Sequence, residues 1–224
     1  MKKAFTLAET LIVMGVIGIV AALTLPNLNQ STNNKEKVAK VKKIYQNLND
    51  AFGRAEAVYG PVDEWCTNLN YDACNRKRFE RIIEFMKYSK ICNSVSICSM
   101  TFGANTSAHG LGNAAILADG TTIGIEGHTI YVDIDGSQKG PNKYGYDGFQ
   151  FHFAHDKGVY VSDIMSNSSF YVTHHYGSNT NGFHPSFSAA WIINFDNMDY
   201  LKTKDGTTCP NGTKLTVGGN HSCN

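Results

Sequence analysis

The chain has 224 residues, with 20 Lys or Arg against 19 Asp or Glu, so its formal net charge is +1. That balance excludes a strongly basic nucleic-acid grip, and the frequent aromatic residues are not interleaved with Arg or Lys in a patch. The length leaves room for one globular domain with a sizeable core beyond the N-terminal segment.

Lys2 and Lys3 precede a run, residues 5–26, in which nearly every residue is apolar or small. One acid, Glu9, sits near its start with no basic neighbour inside the run. Near the centre of a bilayer such an acid costs about 2.5–3.5 kcal/mol, so it implies a partner. A helix of about 20 residues covers about 30 Å, so 5–26 is expected to span a membrane and also to serve assembly. Ala21-Ala22-Leu23 offers an ordinary secretory cut site, but the cores of such signals rarely carry an acid.

A polar patch, Asn27 to Asn34, follows Pro26. Then Val38, Val41, Ile44, Tyr45, Leu48, Ala51, Phe52 and Ala55 recur at three and four, with lysines on the opposite face. Residues 27–60 are therefore read as the amphipathic second half of one long helix. It is expected to weaken around Pro26 to Asn34 and to end at Gly60-Pro61.

Residues 61–224 form the expected head. A helical pattern covers Arg76 to Ile91, and residues 93–113 are rich in Gly, Asn and Ser. The period then changes to two. Ala114 to Ala118, the Asp119-Gly120 turn and Thr121 to Ile125 read as a hairpin. His128 to Ile134 follows as a strand, and Phe149, Phe151 and Phe153 share one face of the next. Asp156-Lys157-Gly158 turns into Val159 to Ser162. The result is an antiparallel meander of four or five strands with the long helix laid on it, an α+β fold. Trp191, Ile192 and Phe195 are expected to be core, in a strand or a short helix.

Between the third and fourth strands, Asp133, Asp135, Asn142 and Asp147 offer hard oxygen ligands. After Asp135-Gly136 the spacing departs from an EF-hand and the closing Glu is missing. Asp-Gly and Pro-Asn are equally plain turn formers, so a structural calcium and a purely structural turn both remain open.

The six cysteines are Cys66, Cys74, Cys92, Cys98, Cys209 and Cys223. An even number, all beyond the apolar segment, suits an exported, oxidised domain. Sequence neighbours suggest Cys66–Cys74, Cys92–Cys98 and Cys209–Cys223. No pair has the tight spacing of a zinc site. His152 and His155 should face opposite sides of a strand. His174, His175 and His184 lie in a Tyr-, Ser- and Asn-rich stretch, with 166–182 read as an exposed loop suited to surface recognition. No G-x-S-x-G, H-E-x-x-H or phosphate loop is present, so no catalytic residue is assigned. An enzyme would require a cleft gathering His152, His174 and Asp163.

Lys2-Lys3-Ala4 followed by Phe5-Thr6-Leu7-Ala8-Glu9 and an apolar helix resembles the processing and assembly signal of type IV pilins and type II secretion pseudopilins. The resemblance covers about the first tenth of the chain. It implies a leader, residues 1–4, cut between Ala4 and Phe5, with methylation of the Phe5 amine and Glu9 as the assembly carboxylate. Pro26 stands where many such proteins have a helix-breaking proline. The residue before the cut is usually Gly and is Ala4 here. The Val132–Gly148 run resembles a loop of pseudopilin-like proteins, some of which hold calcium there, and 188–201 resembles a segment near their C-terminus.

The resemblance implies a pilin-like roll with a disulfide-stapled head. It implies a structural subunit of a type IV pilus or a type II secretion pseudopilus. Expected partners are other pilin or pseudopilin subunits, a prepilin peptidase and N-methyltransferase, and the inner membrane, with a single pass before assembly and a periplasmic or extracellular head. The alternative is a membrane-anchored ligand-binding module that does not polymerise.

Overall fold

The computed structural model describes residues 7–92, 98, 113–140, 142–162, 185–203 and 207–223; the side chains of 23–31 and 185–186 fall outside the description. The first helix, α1 (Leu7–Tyr59), has 53 residues. It stays helical through Pro26 and through 27–34, where the sequence pattern suggested weakening. A proline forfeits one i→i−4 hydrogen bond, but its fixed φ is that of a helix. The helix ends at Gly60, whose φ of 77° suits glycine, with its N–H bonded to Glu56 O at 2.9 Å.

The chain divides into two compact units, residues up to Lys37 and residues from Val38. The described part of the first unit is the stretch of α1 up to Lys37. Its large apolar side chains are exposed, from Leu7 at 80% and Met14 at 71% to Val13 at 52%. The expected membrane-spanning helix over 5–26 is not borne out. No helix among the described residues is long and apolar enough to cross a membrane. The side chains of 23–31, at the end of the expected span, lie outside the described residues.

The second unit is built on one antiparallel sheet of six strands in sequence order, against the expected four or five. The strands are β1 (Tyr88–Cys92), β2 (Ala114–Leu117), β3 (Thr122–Glu126), β4 (Thr129–Asp133), β5 (Gly148–Ala154) and β6 (Gly158–Tyr160). The register sets Ile123 opposite Val132, Ile125 opposite Ile130, Ile130 opposite Phe151 and Val132 opposite Phe149. One face is therefore continuously apolar. The stripe Val41, Ile44, Leu48, Ala51, Phe52 and Ala55 of α1 is buried in the same core. Tyr45 stacks on Phe151 at 5.6 Å, and Phe52 meets Phe153 at 5.5 Å.

The strand that sequence reading missed is β1. Its first four residues are exposed, so it carries no alternation to read, and its pairing with β2 alone makes it a strand. The expected helix over 76–91 starts earlier, as α2 (Tyr71–Ile83), because Asn70 Oδ1 accepts the Ala73 N–H at 2.8 Å as an N-cap. The run around Trp191 is α3 (Pro185–Phe195), packed on β5. Disulfides join Cys66–Cys74, Cys92–Cys98 and Cys209–Cys223.

Candidate functional site

Two regions carry chemistry. In the N-terminal region, Ala4 and Phe5 lie outside the described residues, as does the side chain of Pro26. Glu9 stands in the first turn of α1, where a carboxylate favours the helix dipole. Around it Leu7, Leu11, Ile12 and Val13 are exposed on a helix with no other acid before Glu36.

The second region is the connection between β4 and β5. Asp133, the last residue of β4, is fully buried between Thr122 on β3 and Gly148 on β5. Its Oδ1 accepts the N–H groups of Asp135 at 3.3 Å and Gly136 at 3.0 Å, an Asx turn. Gly136 has a φ of 96°, and a Cβ there would lie 2.7 Å from the Gly120 carbonyl oxygen. Only glycine lets the loop close on the β2–β3 turn. The Ser137 N–H donates to Thr122 Oγ1 at 3.2 Å. On the far side, Asp147 is also fully buried, and its two oxygens accept the N–H groups of Asn142 at 2.9 Å and Lys143 at 2.5 Å. Asn142 has a φ of 47° and donates its amide to Ser137 O at 3.1 Å.

These bonds leave four buried oxygens of one loop without a hydrogen-bond partner: Asp133 Oδ2, Asp135 Oδ1, Ser137 Oγ and Asn142 Oδ1. Native interiors rarely leave such groups unsatisfied, and each costs about 1–3 kcal/mol. Burial pushes the Asp133 carboxyl up to about 8, aided by the neighbouring carboxyls of Asp135 and Asp147. Among the described residues no group of three or more His, Cys, Asp or Glu is placed to hold a metal ion. An ion here would use two carboxylates together with neutral amide and hydroxyl oxygens. That donor set fits a hard cation such as calcium, which takes about six to eight oxygens, and not a thiophilic metal.

The loop is fixed from outside. The wholly buried Tyr200 donates its hydroxyl to Gly145 O at 2.8 Å. Tyr200 lies in the 3-10 turn Asp199–Lys202, and Asp199 Oδ2 accepts the Cys223 N–H at 2.8 Å. The C-terminal disulfide segment and the oxygen-rich loop therefore share one support.

Among the described residues the histidines do not gather into a metal-holding group. His152 on β5 lies 3.3 Å from Thr129 Oγ1, and burial lowers its pKa. His155 lies 3.0 Å from Glu56 Oε1, and that hydrogen bond raises its pKa. Asp163, His174, His175, His184 and the expected recognition loop lie outside the described residues. A cleft of about 430 Å³ between α1 and the β2–β3 turn contains Lys43 and Arg54, but these face Asp119 and Asp50.

Sequence reading missed Ser137 and Thr122. Both are small hydroxyl residues whose part in the loop arises from strand pairing, and nothing in their local sequence signals it. Comparison of the chain with family models, with curated proteins and with solved structures finds no match.

Proposed function

We propose that this chain is a non-enzymatic structural subunit of a filament, a type IV pilus or a type II secretion pseudopilus. It assembles through the N-terminal segment of α1 after removal of residues 1–4 and methylation of Phe5. The observation that carries the reading is the exposed apolar surface of α1 from Leu7 to Val20, on one helix with Glu9. Apolar area of that size on a helix calls for burial, and like helices of neighbouring subunits supply it. Inside such a bundle the Glu9 carboxylate requires a counter-charge, and the Phe5 amine of a neighbouring subunit provides one. A buried pair of this kind fixes the axial register between subunits. The three disulfides support export of the head to an oxidising compartment. In this role a calcium ion in the β4–β5 loop is structural.

The test is production of the chain together with a prepilin peptidase, followed by shearing, sedimentation and mass spectrometry. The reading expects sedimentable polymer whose subunits begin at N-methyl-Phe5. A chain that retains Met1 and never sediments overturns it. Glu9→Gln should abolish polymer while processing continues, and unchanged polymer would remove the pairing with Phe5.

A further inference from the structure

One face of α2 holds the β3–β4 turn residue by residue. Glu126 pairs with Thr129 across the two-residue turn Gly127-His128, and Gly127 has a φ of 60°, which suits glycine. Tyr71, Asn75 and Arg78 recur at four and three along α2, so they share one face. The Tyr71 hydroxyl donates to Glu126 Oε1 at 3.4 Å. Asn75 Oδ1 accepts the Gly127 N–H at 2.8 Å. Arg78 Nη1 donates to Gly127 O at 3.0 Å, and Arg78 Nη2 lies 2.9 Å from His128 Nε2. Asn75 and Arg78 are buried, while His128 reaches solvent. A guanidinium nitrogen can only donate, so His128 Nε2 accepts, and the ring is neutral with its proton on Nδ1. Both hydrogen-bond partners of the Arg78 charge are therefore neutral, and its buried Nε has none.

We propose that His128 is an acid-operated latch between α2 and the sheet: its neutral ring holds Arg78, and a proton on Nε2 releases it. That proton occupies the lone pair that Arg78 uses and sets an imidazolium against a buried guanidinium. Arg78 then keeps one hydrogen bond, to Gly127 O, and a buried charge so placed is strongly destabilising. The surrounding groups do not offset this. Asp63, on the 3-10 turn Val62–Glu64, attracts both cations, but it is exposed and screened by water. Glu126 is engaged by Tyr71, and β5 presents the ring of Phe153, 5.5 Å from His128. His152 and His155 titrate nearby, against Thr129 and Glu56. Partial desolvation of the ring first, and the Arg78 charge second, hold His128 below its ordinary value of 6.5, against the pull of Asp63. The stability that the latch contributes is therefore full above 6.5 and is lost as the pH falls through the lowered value. The Cys66–Cys74 bond still ties the first turn of α2, so release loosens the helix without freeing that end. The latch is independent of the filament reading and needs no ion in the β4–β5 loop.

The test uses the full chain. Histidine-selective NMR measures the His128 titration, and hydrogen exchange, corrected for its intrinsic pH dependence, is compared on either side of that transition. His128 should titrate below 6.5, with Nδ1 carrying the proton on the neutral side. Below the transition the amides of 71–83 and 126–130 should open about tenfold more often, the factor carried by one hydrogen bond to a charged group, while β4 and β5 stay protected. His128→Gln keeps an acceptor that takes up no proton, so its α2 should stay closed at the same acid pH. His155→Gln should leave the acid opening in place, and its loss there would assign the opening to His155 instead. The titration and exchange of the unsubstituted chain remain decisive if His128→Gln does not fold. A His128 that titrates at or above 6.5, no added opening of 71–83 in acid, or equal opening in His128→Gln would each overturn the latch.

Discussion

Asn49 on α1 accepts the backbone N–H of Val159 on β6 through its side-chain oxygen, at 3.1 Å. The same side chain donates its NH₂ to Tyr45 O at 3.1 Å, so the amide is oriented by its own helix. β6 is the last strand of the sheet, and Val159 is only 2% exposed. The helix thus covers a strand edge that would otherwise present an unpaired donor.

Asn49→Ala should therefore cost about 1–3 kcal/mol, the penalty for stranding a buried N–H. Urea denaturation of the full chain measures it. A loss within experimental error would show that β6 is not held from this side.

Chelation should destabilise the head, and more so at high pH. The folded-state pKa of Asp133 is raised, so the stability linked to its proton is fully present below about 3.8 and is lost as pH rises through about 8. A cation replaces that proton. The gain in melting temperature on adding calcium to the chelated chain should therefore grow from pH 5 to pH 8. Asp133→Asn should flatten the pH dependence and remove the calcium gain. A melting temperature indifferent to both calcium and chelator at pH 8 would contradict this.

The Cys209–Cys223 bond closes a sequence separation of 14 residues. Replacing both cysteines with serine should cost about 3 kcal/mol on the loop-entropy scale. The tail keeps other holds. Asn197 Nδ2 donates to His221 O at 3.0 Å, and its Oδ1 accepts the indole N–H of Trp191 at 3.1 Å. The ring of His221 stacks on Phe195 at 3.8 Å. Proteolysis of 210–222 should accordingly accelerate before the sheet unfolds. Simultaneous loss of tail and sheet would mean that the disulfide supports the whole head.

Local pattern alone determined much of this protein. The three-and-four spacing of Val41, Leu48 and Phe52 and the alternation of Phe149, Phe151 and Phe153 each record one solvent-averse face, and such periodicity survives without knowledge of the partner surface. Nearest-neighbour cysteines also paired as their short separations suggested. Tertiary structure decided the rest. β1 exists because β2 lies beside it, and α1 continues through Pro26 where the sequence suggested a weak point. The membrane-spanning segment expected from composition is not borne out, for no helix among the described residues is long and apolar enough to cross a membrane. In the β4–β5 loop, sequence supplied the acids, but only the fold separated Asp147, spent on backbone amides, from Ser137, whose buried hydroxyl is left over. Hydrogen-bond satisfaction is a property of three-dimensional neighbours, and one strand's residues cannot reveal which of their oxygens the adjoining strand will use.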